Sequence, residues 1–169
     1  IPGTTPMILA QQVLQQLLRE RVSIRNLPVI IEASAEITRK KNDLAQVPNH
    51  VRARLSNQIC RSLADAQGFV SVIALNAEWE KEMAGAVGTS GEETNIVMSP
   101  SRMQEFVLQA RKQIQEFAQK DEWPAIMVSP EARSFVRSLL ERVSPMTQVI
   151  SRYEVHRKAA LKTVGRIGA

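Results

Sequence analysis

At Gly68 the hydrophobic period of the chain changes, and no single class of secondary structure fits both sides of that change. Before it, apolar residues recur at three- and four-residue steps. After it, Phe69-Val70-Ser71-Val72-Ile73-Ala74-Leu75 is a nearly unbroken β-rich run, the pattern of a strand buried on both faces. The reading is therefore a mixed α+β chain: a helical subdomain over residues 1–67, then a small α/β subdomain over 68–169 with about four or five strands and three helices.

In the first part, Met7, Ala10, Val13, Leu14, Leu17 and Leu18 predict a half-buried helix, with Gln11, Gln12, Gln15, Gln16, Arg19 and Glu20 on its polar side. Ser23-Ile24-Arg25-Asn26 interrupts it. Asn26 can cap a second helix that carries Pro28 in its first turn and ends near Arg39-Lys40-Lys41. Val47, Val51, Leu55, Ile59 and Leu63 predict a third helix, entered through Pro48.

In the second part, Asn76 can cap a short helix whose first turn holds Glu78 and Glu80, favourable at the positive end of the helix dipole. Residues 85–95 read as a glycine-rich loop, with a short strand at Asn95–Met98 after it. Ser99-Pro100 opens a long helix buried through Met103, Phe106, Val107, Ala110, Ile114 and Phe117. Pro124–Val128 reads as a strand. Ser129-Pro130-Glu131 repeats the helix-start device ahead of Phe135, Val136, Leu139, Leu140 and Val143. Thr147–Ser151 and Leu161–Ile167 are the last strand candidates, the latter mixed in pattern and suited to a sheet edge.

Composition narrows the function classes. The formal charge is +5, concentrated in residues 1–67, where nine Lys/Arg face five Asp/Glu. Only seven residues are Phe, Trp or Tyr, and none interleaves with a basic run, so no platform for nucleic acid is expected. No apolar run approaches the roughly 20 residues that cross a bilayer, so the chain is expected to be a soluble piece of something longer. Cys60 is the one cysteine, which suits a reducing compartment, and its place in an apolar stripe predicts a buried small hydrophobe.

Signals for catalysis are missing. Neither G-x-G-x-x-G nor G-x-x-x-x-G-K-[ST] occurs, so no phosphate cradle and no nucleotide cofactor are expected. Cys60, His50 and His156 lack companion ligands at metal spacing, and both histidines are expected to be solvated. The carboxylate pairs Glu92-Glu93 and Asp121-Glu122 fall in polar, mobile surroundings that would not drive their pKa values apart. The chain reads as a binding and assembly module, not an enzyme, with catalytic, cofactor and metal residues all expected to be none.

Candidate subunit or partner contacts are Ser23, Arg25, Asn26, Arg52, Arg54 and Arg61. Arg54 and Arg61, seven apart with Gln58 between them, would share a helix face, while Arg52 points elsewhere. Arg25, in a turn between helices, could brace a neighbouring element or a neighbouring subunit; arginine is enriched in interfaces.

Three stretches carry a resemblance. Val13 to Leu27, VLQQLLRERVSIRNL, resembles the signature VLQxLLxExVSIRDLxxIxE of the FlhA family of flagellar type III export gate proteins and its injectisome relatives, with Glu32 matching the acidic residue of the tail. His50 to Cys60, HVRARLSNQIC, resembles the second motif, VRxALxRQIC. Val128 to Arg142 matches SPxxRxFVRxLxER, and the closing Val149–Ser151 and Leu161–Ile167 complete the likeness. Asn26 replaces a common aspartate and Asn57 a common arginine. The ending through His156 to Ile167 looks flagellar rather than injectisome-like; the equivalent module of a virulence export gate is the alternative. The resemblance implies the third, helical, and fourth, α/β, subdomains of a cytoplasmic region whose full-length protein is integral to the bacterial inner membrane, attached through an N-terminal part not present here. It further implies self-association into a nonameric ring, and docking of export chaperone–substrate complexes and export ATPase components through the full cytoplasmic region.

Overall fold

The computed structural model describes residues 4–39, 47–90, 93–96 and 98–168. The chain divides into two compact units: Ile1–Ser62 with Tyr153–His156, and Leu63–Arg152 with Arg157–Ala169.

The first unit is built from helices α1 (Thr4–Arg19), α2 (Leu27–Arg39) and α3 (Val47–Arg54), and most of α4 (Ser56–Leu63). Helix α1 stops where Arg21 takes a left-handed φ of 60°. There the Val22 N–H reaches Leu17 O at 2.9 Å and the Arg21 N–H reaches Leu18 O at 3.0 Å. This is a Schellman ending made without glycine. Asn26 holds the N-cap position of α2, its carbonyl accepting from the Ile30 N–H, with Pro28 in the first turn as expected. The Lys40-Lys41 part of that helix's basic end lies outside the described residues.

The single helix expected through residues 47–63 is two, broken at Leu55, whose N–H is shared between Val51 O and Arg52 O. The apolar stripe survives the break: Val47, Val51, Leu55 and Ile59 are all buried. On α1 the apolar period is wider than the face that packs. Val13 and Leu17 are buried, but Met7 is 75% and Leu18 55% exposed. Conversely Glu20, assigned to the polar side, is buried.

The second unit carries a four-stranded parallel sheet in the order β5-β4-β1-β6, made of β1 (Phe69–Leu75), β4 (Ala125–Val128), β5 (Val149–Ser151) and β6 (Ala160–Ile167). Strand β6 is at the edge, as its mixed pattern predicts, and its register against β1 shifts between Val72 and Ile73. Gly68, at φ 87°, makes the turn into β1, where the Asp65 carboxylate accepts from the N–H groups of Gln67 and Phe69. Helices α5 (Ala77–Ala86), α6 (Pro100–Ala118) and α7 (Arg133–Leu140) supply the rest of the core. Ile73, Leu75, Ile126, Val128 and Ile167 meet Trp79, Met83, Phe106, Ala110 and Leu140 there.

The caps of α5 and α6 follow the sequence: Asn76 Oδ1 accepts from the Trp79 N–H at 2.8 Å, and Ser99 Oγ from the Arg102 N–H at 3.4 Å. Two local readings fail. The expected loop over 85–95 contains an antiparallel hairpin, β2 (Val87–Ser90) with β3 (Glu93–Ile96), so the short strand also starts earlier than Asn95. β-Branched Val87, Thr89, Thr94 and Ile96 favour it, a signal masked by the glycines around them. Ser129 does not cap α7. The chain turns once more, with the Ala132 N–H on Ser129 O, and the helix begins at Arg133 without a side-chain cap. It ends at Leu140, leaving Val143 exposed beyond it.

Candidate interface

Within the first unit, the turn between α1 and α2 is held against α4. Gln58 Nε2 donates to Ser23 O at 2.7 Å, and the Arg25 N–H lies 3.4 Å from Ser23 Oγ. The break at Leu55 brings the end of α3 and the start of α4 beside this turn. Asn26, Arg54, Leu55, Asn57, Gln58 and Arg61 line one shallow depression. Ser23, Arg25, Asn26, Arg54 and Arg61 are all exposed. Arg54, Gln58 and Arg61 thus meet as expected, although on two short helices.

Arg54 is partly neutralised. Its Nη1 donates to Glu36 Oε1 at 2.6 Å and its Nη2 lies 3.5 Å from Glu32 Oε2. The other Glu36 oxygen is 2.7 Å from His50 Nε2, so His50 is paired rather than merely solvated. The His50 hydrogen bond first, and Arg54 next, hold the Glu36 carboxyl below its ordinary range despite some burial. The depression offers amide donors, amide acceptors and guanidinium groups, a chemistry that recognises polar and acidic protein surfaces. It assembles no nucleophile with a base.

Arg52 belongs elsewhere. It is 1% exposed. Its Nε and Nη2 donate to the two oxygens of Glu154 at 2.8 and 2.9 Å, and its Nη1 donates to Glu20 Oε2 at 2.7 Å. Burial works against its charge, but the two carboxylates outweigh that and raise its pKa above the ordinary guanidinium value. Arg52 is therefore a member of the interior and not of the outward face for which it was a candidate. Cys60 is buried beside it: its Sγ lies 3.4 Å from Glu154 O and accepts the His156 N–H at 3.3 Å.

The second unit holds a charge cluster that sequence reasoning missed. Arg102 lies 4.1 Å from the centre of the Trp79 ring. Its Nε donates to Glu82 at 3.0 Å, Nη1 to Glu105 at 2.6 Å, and Nη2 to Glu78 at 3.2 Å and also to Glu82. Arg102 holds the Glu82 carboxyl below its ordinary range. The pairs join α5 to α6, 20 and 24 residues apart for Glu82 and Glu78, so no local spacing announces them. Arg137, unlike Arg102, is buried; it donates to Thr147 O at 2.9 Å and fastens the turn ahead of β5. The exposed pair Asp121-Glu122 lies at the end of α6, and Glu92 is outside the described residues. Among the described residues no three His, Cys, Asp or Glu side chains group as metal ligands, and no helix is long and apolar enough to cross a membrane.

A model of the FHIPEP family matches residues 1–160. The flagellar biosynthesis protein FlhA of Caulobacter vibrioides is 40% identical over 167 residues, covering 99% of this chain and 24% of that protein. The chain thus spans about a quarter of the length of the curated relatives it matches. The solved MxiA protein of Shigella flexneri superposes with a TM-score of 0.80 at 26% identity, covering 94% of this chain and 50% of that one. The nonameric EPEC SctV-C superposes with a TM-score of 0.77 at 23% identity over 92% of this chain and 47% of that one, a likeness of fold.

Proposed function

The chain belongs to the FHIPEP family of type III export gate proteins, and from that membership we propose that it is a non-enzymatic assembly module of a flagellar export gate. Its relatives are components of protein transport, and its 40% identity to a flagellar FlhA, against 26% to MxiA, favours the flagellar over the injectisome setting. In this reading residues 1–67 and 68–169 are the third and fourth subdomains of the cytoplasmic region. The full-length protein sits in the bacterial inner membrane and presents this part to the cytoplasm. Copies assemble into a ring, as the nonameric SctV-C does, and the whole cytoplasmic region docks chaperone–substrate complexes and export ATPase components.

One observation carries the assembly role: the exposed depression of Asn26, Arg54 and Arg61 beside the exposed turn of Ser23 and Arg25, polar and cationic and without a catalytic constellation. Buried groups that pair across subunits would find complementary donors there, and arginine is a frequent contributor to such contacts. The test is Arg25→Glu in the full cytoplasmic region. Sedimentation should show assembly weakened, with the circular dichroism spectrum and melting point unchanged, since Arg25 is exposed. Normal assembly of the variant would remove this turn from the interface.

A further inference from the structure

We infer that the four-residue segment Tyr153–His156 is a latched strap, held by the motif residues Glu20 and Arg52 and able to open while the rest of the first unit stays folded. The chain leaves the second unit after Arg152, contributes these residues to the first, and returns at Arg157. Such a short visit buries little apolar surface. Tyr153 is 73% exposed. What holds the segment is polar: both Glu154 oxygens on Arg52, and the Cys60 sulfur between Glu154 O and the His156 N–H.

The holding groups suit a two-position device. Arg52 is 1% and Glu154 1% exposed, so their bidentate contact is shielded from water and salt. Glu20, on the other side of the guanidinium, remains its partner when Glu154 leaves. The guanidinium therefore keeps a buried counter-charge in both positions, which lowers the cost of opening below that of stranding a charge. Clamped, the strap gives the chain three crossings between the units; released, only the crossing at Ser62–Leu63 remains. The first two sequence motifs thus contribute Glu20 and Arg52 to one latch, with the late-chain Glu154 as its bolt.

Cys60 reports the latch, because it is the chain's one cysteine and lies against the strap. Iodoacetamide labelling of the folded chain should be slow, and Glu154→Gln should accelerate it by about tenfold or more, the equivalent of one charge-assisted hydrogen bond. Val13→Ala, which removes buried apolar volume from α1 without touching any strap bond, should leave labelling far less changed. Hydrogen exchange on the unmodified chain supplies a reading that needs no variant. The His156 amide should exchange well ahead of α2 amides such as Ala33. Equal acceleration of labelling by both variants would overturn the inference, and so would exchange of His156 in step with α2, because either means that the segment opens only with the whole unit.

Discussion

Gly168→Ala should cost the second unit far more than an alanine so close to a strand end ordinarily would. Gly168 has φ 81°, and a Cβ there would stand 2.7 Å from Asn76 Cγ and 2.8 Å from Trp79 Cδ1, closer still to the Asn76 amide nitrogen. Neither neighbour can yield cheaply. Asn76 Oδ1 caps α5 through the Trp79 N–H, and the Trp79 indole is fixed edge-on to Phe106, with ring centres 5.2 Å apart, and bonded to Gln109. The left-handed φ costs an L-residue about 1–2 kcal/mol, and loss of the cap adds about 1 kcal/mol. A total of about 2–3 kcal/mol follows. Urea unfolding followed by Trp79 fluorescence measures it, since Trp79 is buried whereas Trp123 is already exposed. Gly165→Ala is the contrast. Its Cβ would meet Gln113 Oε1 at 2.9 Å and Phe117 at 3.1 Å, but the amide is the movable end of a flexible side chain, so the loss should stay under about 1 kcal/mol. In an Asn76→Ala background, Gly168→Ala should lose about 1 kcal/mol less than in the native chain, because the cap is already gone. Equal costs for the two glycines, or a strictly additive cycle, would refute the argument.

Acid should act on the first unit through Glu36. Its carboxyl is lowered below 4.5 in the folded chain, so its contribution to stability is present above that value and is lost as the pH falls through the lowered folded one. The urea midpoint of the native chain should therefore exceed that of Glu36→Gln while the carboxyl is ionised, and the margin should shrink as the pH falls below the ordinary carboxylate value and through the lowered folded one. In the second unit, Arg102→Ala should lower the urea midpoint only slightly, because the side chain is nearly one-third exposed and its ion pairs are screened by water. A titration by NMR should show the Glu82 carboxyl rising back toward its ordinary pKa. Arg102→Lys should restore little, since an ammonium cannot fork to Glu82 and Glu105 while lying over the Trp79 ring.

The features legible in the sequence were those governed by neighbours along the chain. Asn76 and Ser99 cap because a cap and its target lie three residues apart. Strand β1 was visible because both its faces are buried, so its run of apolar residues has few interruptions. What stayed hidden depended on distant partners. Arg52 follows Val51 on a short helix, and nothing in its surroundings marks it as interior; its second carboxylate comes from residue 154. Met7 and Leu18 share the period of Val13 and Leu17, yet periodicity gives a stripe and not the width of the surface that covers it. Ser129-Pro130 has the same letters as Ser99-Pro100, but the chain leaving β4 spends one more turn before the helix can start. The resemblance carried the reading of function further than any of these local signals, for an assembly surface has no chemical grammar comparable with a phosphate loop or a metal site.

The distance along the chain between Arg52 and Glu154, 102 residues, also sets an order of synthesis. A ribosome adding about 5–20 residues each second takes some 5–20 seconds to travel it. For that interval the nascent helices have Glu20 but not Glu154 to offset the guanidinium, while strands β1 and β4 are already emerging. The helices that carry Arg52 are thus completed by a residue made 102 positions later, and a polypeptide terminated before residue 154 would leave them without the second carboxylate.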